Sequence, residues 1–349
     1  MASDLAFHLA SRGWCVSAIT SRQRYDDPKA QLPSTTANGV NIRRVWSTRF
    51  GRSSLPGRAI DYLTFYASAF IELLRHRDAV VVAMTDPPLI SVPAALAVPR
   101  TVNWVQDLFP EVAEGLGLKA PGILRGLRDW SLRRARRNVV LGELMAARVP
   151  NSIVIHNWAD VALAPQPAIP HEHFVVGYSG NLGRAHEFET ILEAMRRLPD
   201  VHFRFNGGGA QLAAVRAVAP SNATFHPYVP REELATSLSK ADVHLVSLQP
   251  QLEGLIVPSK FYGILAVARP VIFVGAAEGE VGRIIREHDC GIVVAPGDAA
   301  SLIAAIDRLA NDRPAADAMG ARGRELYERF FAPARAFAAW ENVLEEAAS

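Results

Sequence analysis

Val257-Pro258-Ser259-Lys260 gathers a cation, a hydroxyl and a proline where a loop gives way to a helical pattern. Proline suits the first turn of a helix. The Ser259 hydroxyl, the Lys260 ammonium and the unpaired N–H groups of a helix start would then converge on one anion. Lysine is scarce in this arginine-rich chain, with only Lys29, Lys119, Lys240 and Lys260; a surface lysine is the plain alternative. A second candidate runs from Tyr178 to Glu189, where a strand enters a glycine turn and then a helix. Gly180, Asn181 and Gly183 let the backbone approach a phosphate there, and Arg184 adds charge. In the third, Asn206-Gly207-Gly208-Gly209 ends another strand, either admitting a ligand or simply turning. Patterns for other chemistries are missing: the chain has no HExxH, CxxC or GxSxG, and His8, His76, His156 and His186 do not have metal-ligand spacing. His156 and His186 remain candidates to reach a cleft.

Ligands of open α/β sheets gather at the carboxyl ends of strands, so the elements decide whether these segments meet. Apolar runs predict strands near 15–20, 40–46, 79–84, 101–106, 139–141 and 153–156. A second set follows near 174–179, 202–206, 223–228, 243–247, 270–274 and 291–295, alternating with helical patterns or short polar connections. The prolines of 164–170 suit a stiff linker. The expected organisation is two doubly wound domains, 1–160 and 173–328, with a linker over 161–172 and a C-terminal helix over 329–349 returning to the first domain. The first domain opens on a helix, residues 3–10, where such a domain normally opens on a strand and a glycine turn. We expect from this that the recorded start lies downstream of the true one.

At 349 residues and 49% hydrophobic, the chain can bury two cores. Cys15 and Cys290 stand in separate apolar runs and are expected to be buried thiols in a reducing cytoplasm. The longest apolar candidate, 79–105, is broken by Asp86, prolines and Arg100, so no membrane span is expected. Residues 1–155 carry 20 Lys+Arg against 12 Asp+Glu, a net of +8; residues 156–349 carry 17 against 23, a net of −6. The basic excess centres on Arg125, Arg128, Arg133, Arg134, Arg136 and Arg137 around Trp130. That helix is either a solvated face or a contact for an anionic membrane or a phosphorylated acceptor. Nucleic acid is not an expected partner, because no recognised motif accompanies the charge. Trp104 and Trp158 are expected in the core.

The order of motifs resembles the family-4 glycosyltransferases of bacterial colanic-acid, O-antigen and exopolysaccharide assembly. The matching segments are VQDLFPEVAEGLGL (105–118), IHNWAD (155–160), GYSGNLGRAHEFETILEAM (177–195), the triple glycine and VPSKFYGILAVARPVI (257–272). The resemblance implies a GT-B fold of two Rossmann-like domains, the first binding an acceptor and the second a nucleotide-diphosphate sugar, with UDP favoured. It implies that Gly180, Asn181, Gly183 and Arg184 face the donor diphosphate with Pro258, Ser259 and Lys260 opposite. Gly207 and Gly208 would also border the donor, Tyr228 and Val229 the base, and Glu253 the transferred sugar or ribose.

Asp107, with Glu111 behind it, would face the cleft from the acceptor side; an aspartate capping the next helix is the alternative. Arg125, Arg128, Trp130 and Arg133 would lie on the acceptor and membrane side. The implied chemistry is retaining transfer from the nucleotide sugar to a lipid-diphosphate-linked glycan at the inner membrane face. Arg184, Lys260 and helix N–H groups would stabilise the departing diphosphate, and no metal or other cofactor is needed. Gly263 replaces a glutamate that in the family holds the ribose, and Ala268 replaces a glycine. Two alternatives use the same fold: a sugar-nucleotide epimerase, and an impaired member acting as a binding subunit of a polysaccharide assembly complex.

Overall fold

The computed structural model describes residues 1–24, 30–51, 55–167 and 172–349; Lys29 and part of the expected linker lie outside them. In the first half, helix α1 (Ala2–Ser11) leads to β1 (Ser17–Ser21), β2 (Thr35–Ala37), β3 (Val40–Val45) and helix α2 (Leu55–Leu73). Then follow β4 (Val81–Met84), α3 (Ser91–Ala97), β5 (Thr101–Trp104), α4 (Glu111–Gly115), α5 (Gly122–Arg134), β6 (Arg137–Val140) and β7 (Ser152–Val154). Two sheets result, ordered β1-β3-β2 and β4-β5-β6-β7. Strand β2 is not anticipated by the sequence reading. It pairs antiparallel with β3 across Asn38-Gly39, both at positive φ, which is the backbone a tight hairpin needs.

Strands β1 and β4 are both sheet edges. Ile19 of β1 and Val81 of β4 nevertheless share a small core with Leu73 and Ala94.

The second half is one fully parallel sheet of six strands: β8 (Val175–Asn181), β9 (His202–Gly208), β10 (Ala223–His226), β11 (Val243–Ser247), β12 (Val271–Val274) and β13 (Gly291–Val294). Every residue of β11 and β12 is buried, as expected of strands covered on both faces. The order is β10-β9-β8-β11-β12-β13, so the chain winds one way from β8 and the other way from β11. That switch point opens a crevice at the carboxyl ends of β8 and β11, where the Gly180 turn and the loop to Lys260 begin.

The C-terminal helix Pro333–Ala348 returns to the first half. Phe337, Trp340 and Leu344 pack with Leu5, Leu9, Val102, Trp104 and Trp158. Trp104 and Trp158 are buried as expected, their rings stacked at 5.6 Å. The cysteine expectation holds for one residue only: Cys290 is buried, but Cys15 is exposed. Trp14 and Val16 on either side of Cys15 pack toward the core, and the alternation of an extended segment turns Cys15 outward.

Candidate functional site

A cleft of about 720 Å³ lies between the halves, lined from the second by Gly180, Asn181, Gly183, Arg184, Tyr228, Val229 and the run Val257 to Lys260. From the first half it is lined by Asp107, Trp158 and Asp160. The loops that close its floor touch directly. Leu108 N–H donates to the Leu255 carbonyl at 2.9 Å, and Asp107 forms an antiparallel bridge with Ile256. One contact thus fixes the Asp107 loop against the segment that delivers Ser259 and Lys260.

Lys260 opens the helix Lys260–Ala266, with Ser259 as its N-cap. The Ser259 hydroxyl makes no capping bond and borders the cleft. The Lys260 ammonium reaches across the switch point to donate to the Tyr178 hydroxyl, lies 3.4 Å from the Asn181 carbonyl and 3.5 Å from His186 Nε2. It also sits 3.8 Å from the centre of the Tyr178 ring. No carboxylate among the described residues pairs with it. Burial without a counter-charge lowers its pKa to about 7. Burial, then the Lys260 charge, lowers His186 to about 4, so that imidazole is neutral at neutral pH. An anion entering the cleft would supply the missing counter-charge. Arg184 is exposed on the opposite lip and makes no ion pair among the described residues.

The glycines divide between two jobs. Gly180, at φ +122°, borders the cleft with Lys260 Cε 3.5 Å from where its Cβ would stand. Gly207 and Gly208 do not line the cleft, contrary to their assignment to the donor. A Cβ on Gly207 would stand 2.0 Å from the Gly180 carbonyl oxygen, and a Cβ on Gly208 would stand 3.1 Å from the nearest atom of the Tyr228 ring. Their smallness lets β8 and β9 close together and seats Tyr228. That tyrosine is 61% exposed and free to meet a planar base. Gly263 borders the cleft with Leu163 Cδ1 3.7 Å from its missing Cβ, so this stretch of wall is apolar where the family glutamate would stand. Ala268 adopts φ +56°, the backbone that explains the family's glycine.

Glu253 does not face the cleft, which corrects the expectation. Its carboxylate turns into the interior and accepts the Glu280 N–H at 3.3 Å, at the start of helix Glu280–His288. Burial, then the Glu280 charge, outweighs that bond and raises Glu253 to about 7. Glu280 in turn accepts the Leu144 N–H at 3.3 Å from the first half. The two glutamates therefore join the halves behind the cleft. His156 is also withdrawn, its Nδ1 3.0 Å from the Leu141 carbonyl.

Asp107 follows β5 and opens into the cleft. Its backbone N–H and that of Gln106 donate to Thr85 Oγ1 at 3.3 and 3.1 Å, which brings the loop after β4 alongside. Although Asp107 itself is exposed to the cleft, the protein around its carboxyl, with the Asp86 charge second, raises it to about 6. Asp86, just past the end of the neighbouring strand, does not line the cleft but is near enough for its charge to act on Asp107; its position after β4 is the signal that would have found it. Tyr178 is likewise absent from the sequence-derived site, though it stands inside the quoted glycine-turn segment.

Part of the basic helix is paired within the chain. Arg128 pairs with Glu111 and, at 2.7 Å, with Asp129, while Arg125 pairs with Glu114. Glu111 is thereby committed to arginines rather than to the cleft. Trp130 is half-buried, and Arg133 is exposed without an acidic partner among the described residues.

Residues 173–312 match the model of glycosyl transferases group 1, and residues 1–165 match that of a glycosyl transferase 4-like domain. The chain is similar to the probable glycosyltransferase WbjE of Pseudomonas aeruginosa, 30% identical over 285 residues, covering 72% of this chain and 71% of the relative. It is also similar to the putative colanic acid biosynthesis glycosyl transferase WcaI of Escherichia coli K12, 26% identical over 71% of each chain. Among solved structures, sucrose-phosphate synthase of Thermosynechococcus elongatus superposes with TM-score 0.81 at 17% identity, over 100% of this chain and 93% of that one. HepE of Anabaena, solved with UDP and glucose, superposes with TM-score 0.67 at 14% identity, over 88% and 87%. The fold is the GT-B arrangement.

Proposed function

Because the chain belongs to the group 1 glycosyltransferases with a 4-like N-terminal domain, we propose that it transfers a sugar, with retention, from a nucleotide-diphosphate donor to a lipid-diphosphate-linked glycan in surface-polysaccharide assembly. The observation that carries this reading is the Lys260 ammonium at the switch point, held between the Gly180–Arg184 turn and Ser259 with no counter-charge among the described residues. UDP-sugars are the first donors to test, supported by the UDP bound to a protein of the same fold. Membership of a glycosyltransferase family favours transfer over epimerisation.

As the bond between the sugar's anomeric carbon and the diphosphate oxygen breaks, negative charge grows on the diphosphate and positive charge on the sugar. Lys260 and Arg184 would hold that negative charge, in a site whose walls reduce water. The acceptor hydroxyl enters on the face the diphosphate leaves, and its proton passes to the departing oxygen. No protein nucleophile and no metal takes part in this scheme. Asp107, with its pKa near 6, is ionised at neutral pH and would orient the acceptor hydroxyl from the opposite wall. Glu253 has no place in it.

The test is transfer of radiolabelled sugar from UDP-, GDP- and dTDP-donors into a lipid extract, followed by NMR of the product's anomeric configuration. Label in the lipid fraction with the donor's configuration supports the proposal. Altered sugar without acceptor would identify an epimerase, and donor binding without turnover a binding subunit.

A further inference from the structure

Helix α2 is apolar on the side that faces solvent. Ile60, Leu63, Ala67 and Ile71 recur at i, i+3, i+7 and i+11, which puts them on one stripe. All are exposed, Leu63 by 64% and Ile71 by 58%. Ala69 and Leu73, on the other side of the helix, are the residues that enter the core. The stripe is therefore surplus to folding.

The loop before α2 is fixed beside this stripe. Asp61 accepts from the Phe50 and Gly51 N–H groups at 3.0 and 2.9 Å and from the Thr48 hydroxyl at 2.7 Å, and Thr64 Oγ1 accepts from the Thr48 N–H at 3.0 Å. The loop adds two exposed aromatics, Trp46 and Phe50. Helix α3, packed on α2, adds exposed Leu96.

Exposed charge at the two ends of the stripe is mainly basic, although Asp78 follows Arg77 there. Arg49 and Arg58 stand at one end and Arg75 and Arg77 at the other, and of these only Arg75 meets a carboxylate, Glu72, among the described residues. Asp61 is used up in the loop. A second copy seated on this face by two-fold symmetry would set arginines against arginines. An anionic bilayer surface satisfies both the apolar stripe and the basic rim. No described helix is long and apolar enough to cross a membrane, so the contact is one of lying on the surface.

The opposite side of α2 faces the acceptor wall. The Tyr66 hydroxyl donates to the Pro88 carbonyl, in the loop that carries Asp86 beside Asp107. We propose that the α2 stripe, with Trp46 and Phe50, is the surface by which the protein lies on an anionic phospholipid bilayer. This deepens the function proposed above, and rests on it only for its purpose: the docked helix would hold the acceptor side of the cleft at the membrane.

The experiment is flotation of the full chain with phosphatidylcholine vesicles, with and without phosphatidylglycerol and with no glycan acceptor present. It compares wild type, Leu63→Gln/Ile71→Gln, Trp46→Gln/Phe50→Gln and, on the other basic helix, Ile123→Gln/Leu127→Gln. Unchanged melting and nucleotide binding establish that each variant is folded. The wild type is expected to float with phosphatidylglycerol vesicles and less in high salt. Each of the first two variants should lose at least about tenfold in partitioning, while the third floats normally. Wild type that ignores anionic vesicles, or loss confined to Ile123→Gln/Leu127→Gln, overturns the proposal. So does a wild-type dimer that the Leu63→Gln/Ile71→Gln change dissociates. None of these results depends on transfer, so the catalytic reading stands or falls separately.

Discussion

Lys260 makes donor binding depend on pH in a direction the site dictates. Its pKa of about 7 in the open cleft means that about half the molecules carry the charge at pH 7, about a tenth at pH 8 and about a hundredth at pH 9. A bound diphosphate selects the charged form and raises its pKa, so binding takes up a proton. Apparent affinity is then flat below pH 7 and falls about tenfold per pH unit above it, until the pKa of the complex is passed. His186, at about 4, stays neutral throughout and adds nothing.

The ligand should be UDP-glucose rather than UDP, whose terminal phosphate titrates near pH 6. Titration calorimetry from pH 6 to 9, in buffers of differing ionisation enthalpy, measures both quantities. Uptake of about half a proton at pH 7, approaching one at pH 9, is expected. Lys260→Arg keeps its charge across the range and should flatten the profile, while Lys260→Ala should bind weakly at every pH. A wild-type affinity unchanged from pH 6 to 9, with no proton uptake, refutes the argument.

Other substitutions separate the remaining roles. Asp107→Asn should leave donor binding intact and cut transfer at least about tenfold; wild-type transfer should also fall as pH drops through about 6, where Asp107 protonates. Full activity in Asp107→Asn removes the residue from the mechanism. Glu253→Gln should retain transfer. Because the folded pKa of Glu253 is raised, from 4.5 to about 7, the native state holds its proton longer than the unfolded chain, and the group costs stability as pH rises through that window. The melting advantage of Glu253→Gln over wild type should accordingly grow from pH 5 to pH 8, and a constant difference contradicts this. Gly207→Ala should destabilise by several kcal/mol or prevent folding, since its Cβ would stand 2.0 Å from the Gly180 oxygen at a positive φ; a normal melting temperature would mean the strands can part. Ala268→Gly relieves a left-handed backbone and should stabilise by up to about 1 kcal/mol, read as a raised melting temperature; a lowered one contradicts it.

The parts of this fold that the sequence made legible are those set by local physics. Parallel strands buried on both faces read as short apolar runs, and Val243–Ser247 matches its expected bounds. Glycine turns at strand ends marked Gly180 and Gly183, which border the cleft. Thr35–Ala37 was missed because a three-residue strand has too little pattern to show, although its Asn38-Gly39 turn was a usable sign. The misplaced site residues depend on partners far away in the chain. Nothing near Glu253 reveals that its carboxylate turns to the start of a helix at Glu280, and Arg128 looks free until Glu111, 17 residues earlier, is seen to hold it. Gly207 resembles a ligand approach, yet its reason is a neighbouring strand's carbonyl. Trp158 shows the mixture: it is core, as its type suggests, and one edge still reaches the cleft.

The central claim, that the switch-point cleft holds the diphosphate of a nucleotide sugar, is tested most directly by a crystal structure with UDP bound. The account predicts phosphate density within hydrogen-bonding distance of the Lys260 ammonium and beside the Gly180–Arg184 turn, with the base against Tyr228. Nucleotide bound away from Lys260, or a cleft still empty at saturating UDP and at each of the other donor nucleotides, would contradict it.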